Sequence, residues 1–248
     1  MDSDEPLAPL EDACTVVLLR DGAAGLEVLL LERPRASRAF ACAWVFPGGK
    51  VDPEDRIGRD GAQLPDDLAA LAAGVREVAE ETGQRLAPED LTSLSQWTPM
   101  QRIPRRFRTW FLVARAPSSA VAVNPGEHES FAWLPPAEAL DRHERGTMVL
   151  APPTWVTLRQ LGGFATVAQA LEHAGAGAPF SYNSHLLRHD GGASLAGTRS
   201  GVVWAGDEAY PDPAGAGPAG SRHRLDMTSL PWIFEHSGGS APPGSSTE

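Results

Sequence analysis

The sequence predicts an α/β fold: an α/β/α sandwich on a mixed sheet, followed by a C-terminal extension. Three observations lead there. Short runs rich in apolar and β-branched residues recur from residue 13 onward, separated by turn signals. One long stretch, 66–82, carries apolar residues at helical spacing. Proline pairs at 135–136 and 152–153 start further helical stretches, so helices and strands are intermixed along the chain. A hydrophobic content of 42% in 248 residues is enough for a core.

In order, residues 1–11 are expected to be disordered. Residues 13–20 form a strand, Asp21 and Gly22 begin a turn, and 26–32 return as the second strand of a hairpin. Residues 33–43 make a basic loop with Arg33, Arg35 and Arg38, and 44–46 a short buried strand running into Gly48 and Gly49. The segment 53–65 is rich in Gly, Asp and Arg and reads as an inserted surface loop. The helix over 66–82 has Leu68, Leu71, Val75 and Val78 as its apolar stripe, Asp66 as N-cap and Gly83 as C-terminal glycine. Strands follow at 91–97, 107–114 and 130–134, then helices at 136–143, 152–161 and 165–174. Beyond residue 175 the composition turns to Gly, Ala, Ser and Pro, with candidate strands at 201–205 and 223–227 and a tail from 238 expected to be disordered.

The net charge of −11 argues against a general nucleic-acid-binding surface. Cys14 and Cys42 form no metal-ligand pattern, which suits a reducing, cytoplasmic setting. The acidic start lacks the features of a signal peptide, and no apolar run approaches membrane-spanning length, so no membrane partner is expected.

The chemistry concentrates in two segments. Glu77, Glu80 and Glu81 stand at i, i+3 and i+4 and share one helix face. Carboxylates this close repel one another, and a hard divalent cation, Mg²⁺ or Mn²⁺, relieves the conflict. Upstream, Phe46, Pro47, Gly48 and Gly49 end a strand with glycines that allow the backbone close to a ligand or metal.

Together these segments resemble the Nudix box, G-x5-E-x7-R-E-U-x-E-E-x-G-U, where U is a bulky apolar residue. Gly49 matches the first glycine, Arg76, Glu77 and Val78 match R-E-U, Glu80 and Glu81 match E-E, and Gly83 matches the last glycine. Three positions depart from it. Asp55 stands for the first glutamate, residues 56–75 replace the shorter spacer, and Gln84 takes the final apolar position. An insertion between loop and helix costs little closure entropy and leaves the helical glutamates in register. The box is therefore split.

The resemblance implies a Nudix-type sandwich over 12–175, with 176–248 as a partly disordered extension that caps the domain or supports a homodimer. It implies a metal-dependent pyrophosphohydrolase acting on phosphorus-containing anhydrides of a small nucleotide-type substrate. Glu77, Glu80 and Glu81 would hold Mg²⁺ or Mn²⁺, with Glu80 and Glu81 counted as catalytic. Arg76 would tie loop to helix by pairing with Asp55 or a glutamate; the alternative for Asp55 is a solvated loop carboxylate. Glu127 and Glu129 are candidate general bases, because Nudix enzymes often place an acid in this region; a polar turn is the alternative. His128, between them, is expected at the surface. Arg38, Arg105 and Arg106 would clamp phosphates, with the Gly48 and Gly49 backbone beside them; a solvated loop is the alternative for the arginines. Trp97 and Trp110 are either base-stacking or core.

A further likeness points to a split-box subgroup resembling the peroxisomal coenzyme A diphosphatase. It rests on residues 29–33, Arg38, Arg105, Arg106 and Phe107, and Pro152, Pro153 and Thr154. Of the pattern R-x3-G-x3-F-P-G-G, Arg38 matches and Cys42 replaces the glycine. Coenzyme A or an acyl ester is thus the implied substrate. ADP-ribose or a dinucleotide is the alternative, and a non-catalytic ligand-sensing module is disfavoured because all three glutamates are kept.

Overall fold

The computed structural model describes residues 7–37, 41–187 and 201–237. The expectations for Arg38 and for the tail from residue 238 lie outside the described residues. The first hairpin forms as expected. β1 (Leu10–Gly22) and β2 (Gly25–Glu32) pair antiparallel up to Gly22 against Gly25. β1 starts earlier than predicted, because Leu10 and Glu11 already pair with Arg106 and Phe107 of β5 (Arg106–Arg115).

β1 and β5 run parallel through the middle of the sheet. Outside β5 lies β4 (Thr92–Pro99), antiparallel to it. On the other side β2 pairs with both β3 (Ala43–Val45) and β6 (Ser130–Leu134), and β3 in turn with β7 (Val149–Leu150). The sheet is mixed, as the sequence predicts.

Strand alternation divides the core in two. Val16, Leu18, Leu29, Leu31, Leu112 and Ala114 face α1 (Asp66–Thr82). Val17, Leu19, Val28, Leu30, Phe111 and Val113 face α2 (Pro136–Glu144), α3 (Pro152–Leu161) and α4 (Val167–Gly175). No described helix is long and apolar enough to cross a membrane.

Two expectations for α1 need correction. Its buried face consists of Ala69, Ala70, Ala73, Gly74, Val78 and Glu81, whereas Leu68 is exposed and Leu71 and Val75 flank the core. Small side chains bring the helix close to β1 and rotate the leucines outward. Asp66 is the first helical residue and makes no cap hydrogen bond; its carboxylate pairs with Arg56 and Arg108 instead. At the other end Gly83 closes the helix in the left-handed conformation, φ 70°, donating its N–H to Ala79 O at 3.1 Å.

The segment after residue 175 begins with a strand the sequence reading did not identify, β8 (Phe180–Leu187), parallel to β4. Its side chains are mostly polar, with Tyr182 its fully buried member, so apolar periodicity is weak. β9 (Gly201–Val203), β10 (His223–Asp226) and β11 (Ile233–His236) continue antiparallel from β8.

Candidate active site

The site is built where the loop after β3 lies along β1. Cys14 N–H donates to Gly49 O at 2.8 Å and Val16 N–H to Pro47 O at 2.7 Å. Gly48 permits this close approach to β1, and Gly49 leaves room for the Glu77 side chain. A Cβ on Gly48 would sit 2.3 Å from Cys14 O, and one on Gly49 would sit 2.2 Å from a Glu77 carboxylate oxygen. Gly48 N–H donates to Glu81 Oε2 at 2.8 Å, tying the loop to α1.

Arg76 joins loop, insertion and helix. Its Nε and Nη2 donate to the two oxygens of Asp55 at 3.1 and 2.8 Å, and Nη2 also reaches Lys50 O at 3.0 Å. Its Nη1 donates to Glu77 at 2.9 Å and Glu80 at 3.1 Å. Asp55 lies in a short 3₁₀ turn (Glu54–Arg56), buried, and accepts the Asp52 N–H at 2.9 Å. It is the partner of Arg76, not a solvated loop carboxylate. The insertion is pinned as well: Arg56 donates to Asp12 at 2.6 Å and to Asp66 at 2.9 Å, and Arg108 binds the same two carboxylates.

The turn before β6 docks on the end of α1. Ala122 N–H donates to Thr82 O at 2.9 Å and Asn124 N–H to Glu81 O at 3.3 Å. This delivers Glu127 and His128 to α1. The His128 Nε2 lies 2.8 Å from Glu81 Oε1, both side chains buried, and a ligand atom from each of Glu81, Glu127 and His128 falls within 4.8 Å of the others. An open cleft of about 410 Å³ results, lined by Arg33, Ser37, Glu77, Glu81, Glu127 and His128 among others.

The electrostatics of this cleft favour a cation. Burial pushes the Glu77 carboxyl up to about 7, against the pull of Arg76, and the neighbouring Glu81 and Glu80 push it further. Carboxylates converging on one open space, one of them reluctant to ionise, form a hard-oxygen donor set suited to Mg²⁺ or Mn²⁺. The residues fit such an ion.

The structure thus brings together Glu77, Glu81 and Glu127. Glu80 stays at the rim, its side chain 54% exposed and held by Arg76. Glu129 is exposed outside the cleft lining, accepting the Arg35 N–H at 3.3 Å. Arg106 must be corrected. It is buried, donating to Pro99 O and Ala8 O, and has no route to a phosphate in the cleft. Arg105 is also corrected: its guanidinium lies over the Phe107 ring and 3.5 Å from Glu11, not in the cleft lining. Gly49 O accepts the Cys14 N–H and Gly48 N–H is given to Glu81, so both glycines position the loop. His128 is not a surface histidine. Trp97 is core, stacked on Tyr182 at 3.9 Å, and Trp110 is half-buried under Arg108.

Sequence reasoning missed Arg33 as a cleft residue. Its buried Nε has no hydrogen-bond partner, and its guanidinium has no carboxylate partner among the described residues. The available signal was its place at the end of β2, one residue beyond Glu32.

The NUDIX domain family matches residues 9–152. A Danio rerio protein named m7GpppN-mRNA hydrolase NUDT17 is 34% identical over 89 residues, 36% of this chain and 25% of that protein. The match therefore spans about a quarter of the relative's length. A NUDIX hydrolase structure from Alicyclobacillus acidocaldarius superposes with a TM-score of 0.57 at 23% identity, covering 67% of this chain and 97% of that one, a likeness of fold.

Proposed function

The chain belongs to the NUDIX family; on that premise we propose that it is a pyrophosphohydrolase, that the cleft beside α1 is its active site and that coenzyme A or an acyl ester is its substrate. The observation that carries the site is the convergence of Glu77, Glu81 and Glu127 in one cleft with Arg33, whose guanidinium has no carboxylate partner among the described residues. The carboxylates can hold a divalent ion and the guanidinium can take phosphate oxygens.

Glu77, Glu80 and Glu81 would hold Mg²⁺ or Mn²⁺. When bound, such an ion supplies charge for the phosphate oxygens and lowers the pKa of water. Glu127, solvent-facing in the cleft, would take the proton of the attacking water, a contribution of about 10²–10⁴-fold for a general base. Arg33 would bind the diphosphate through its planar fork. Arg76, through Asp55 and Lys50 O, keeps the glycine loop and α1 in register while these groups act.

The coenzyme A reading rests on the upstream pattern. Cys42 stands at its glycine position, yet its backbone has φ 60°, the left-handed conformation that glycine adopts freely. The side chain departs from the pattern, while the backbone conformation is one that suits glycine.

The test is a panel of coenzyme A, ADP-ribose and a methylated cap analogue with Mg²⁺ and Mn²⁺, products identified by mass spectrometry. Phosphopantetheine with adenosine 3′,5′-bisphosphate is the expected result. AMP with ribose 5-phosphate would move the assignment to ADP-ribose, and cleavage of the cap analogue alone would move it to the chemistry named for the zebrafish relative. No metal-dependent hydrolysis of any of them would overturn the active-site reading.

A further inference from the structure

We propose that His128 is a positioning residue for Glu81, holding its carboxylate in one orientation toward the bound divalent ion without itself touching that ion. The proposal rests on the metal-site reading above.

The two oxygens of Glu81 are held from opposite parts of the chain. Gly48 N–H donates to Oε2 at 2.8 Å, and His128 Nε2 stands 2.8 Å from Oε1. The Glu81 carboxylate accepts, so the hydrogen in the second contact belongs to Nε2. The other ring nitrogen, Nδ1, is buried without a hydrogen-bond partner among the described residues. A hydrogen on Nδ1 would be a stranded donor, which folded proteins avoid. The surroundings therefore select one arrangement, with hydrogen on Nε2 and none on Nδ1.

The same observation separates positioning from ligation. A histidine that binds a metal through Nε2 must carry its hydrogen on Nδ1, and such histidines almost always donate it to a carboxylate, carbonyl or water. The described residues offer Nδ1 no such acceptor, and ligation through Nδ1 itself would need that nitrogen open to the cleft, whereas it is buried. Its ring acts through Glu81. With His128 on one oxygen and Gly48 on the other, the carboxylate cannot swing into the core, and its remaining lone pairs stay available to the cleft. The backbone supports this placement, since His128 N–H donates to Asn124 O at 3.1 Å and Asn124 N–H to Glu81 O at 3.3 Å.

The experiment compares His128→Leu, which fills the space without a donor, with His128→Gln, whose amide N–H can reach Glu81. Mn²⁺ binding is followed by the EPR signal of the free ion, and urea unfolding in EDTA checks each fold. Loss of a partner to a metal ligand typically weakens metal affinity about 10–100-fold, so that loss is expected for leucine and most of the affinity should return with glutamine. In a Glu81→Gln background, His128→Leu should weaken binding no further. If the leucine variant does not fold, His128→Asn, whose amide is too short to reach Glu81, replaces it.

Wild-type affinity in the leucine variant overturns the proposal, as does an equal loss in leucine and glutamine variants. Nitrogen couplings from an imidazole in pulsed EPR of the Mn²⁺-bound protein would also overturn it, by making His128 a direct ligand. Absence of divalent binding by the unaltered protein would sink the metal-site reading itself, and this role with it.

Discussion

Alanine at Gly48 and alanine at Gly49 should cause different lesions, although the residues are adjacent. At Gly49 the new Cβ would meet only the end of the Glu77 side chain, 2.2–2.9 Å away. That side chain can swing aside, at an off-rotamer cost of about 0.5–1.5 kcal/mol. Arg76 would lose its 2.9 Å contact to Glu77 but keep Asp55, so the fold should survive. The displaced carboxylate is a proposed metal ligand, and a loss of about 1.4 kcal/mol or more in its interaction is a tenfold or greater weakening of Mg²⁺ binding. At Gly48 the Cβ would sit 2.3 Å from Cys14 O and 2.8 Å from Thr15 Cα, both backbone atoms of the central strand. Relief requires the loop to leave β1, giving up the hydrogen bonds from Cys14 and Val16. Those two bonds at roughly 0.5–1.5 kcal/mol each, with about 1–3 kcal/mol of overpacking, amount to about 2–6 kcal/mol. Urea unfolding in EDTA measures the loss of stability, and calorimetric Mg²⁺ titration the weakened binding. The reasoning fails if Gly49→Ala unfolds as readily as Gly48→Ala, or if it binds Mg²⁺ with unchanged affinity.

Glu81→Gln should reduce turnover at limiting Mg²⁺ far more than Glu80→Gln, because Glu81 is buried in the cleft wall and Glu80 is mostly exposed on Arg76; comparable losses in steady-state assays would contradict that ranking. Asp55→Ala should cost about 3 kcal/mol, the lower end for breaking a buried ion pair, because Glu77 and Glu80 still contact Arg76; an unchanged urea midpoint would refute it. In EDTA, Glu77 should make stability fall as pH rises. Its folded value, raised to about 7 from 4.5, favours the protonated form in the folded state, so its contribution is full below 4.5 and is lost as pH climbs toward 7. Thermal melts should show this slope in the unaltered protein, a shallower one in Glu77→Gln, and its suppression by saturating Mg²⁺; identical slopes in both proteins would exclude Glu77 as the source. Cys42→Gly should stabilise by up to about 1 kcal/mol, since the left-handed backbone costs a non-glycine residue about 1–2 kcal/mol and glycine returns part of that as chain entropy; a lower melting temperature would count against it.

The helix spacing of Glu77, Glu80 and Glu81 was legible because it is a property of a single element. Their orientation was not. Hydrophobicity places leucines inside, and a stripe through Leu68, Leu71, Val75 and Val78 would leave all three glutamates on the flank. The helix instead packs close to β1 through Ala70, Ala73, Gly74 and Val78, and the line Ala73, Glu77, Glu81 follows that buried face into the cleft. This rotation buries Glu81 and turns Glu80 to the rim. A similar rule separates Arg105 from Arg106. Arg106 opens β5, where successive side chains alternate between faces, so the two adjacent arginines are not expected to reach one site together.

His128 shows where local pattern stops. A histidine between two glutamates in a turn reads as solvent-exposed, and 47 positions separate it from the Glu81 carboxylate it meets. Its burial follows from Ala122 and Asn124 satisfying carbonyls at the end of α1, which a helix C-terminus leaves open whatever the approaching sequence. Arg33 is brought in by the same assembly, because β6 pairs with β2 and so sets the turn carrying Glu127 beside the residue that follows Glu32. One wall of the cleft is thus written in helical periodicity. The facing wall arises from strand pairing, and its residues acquire their surroundings only when β2, β6 and α1 are assembled.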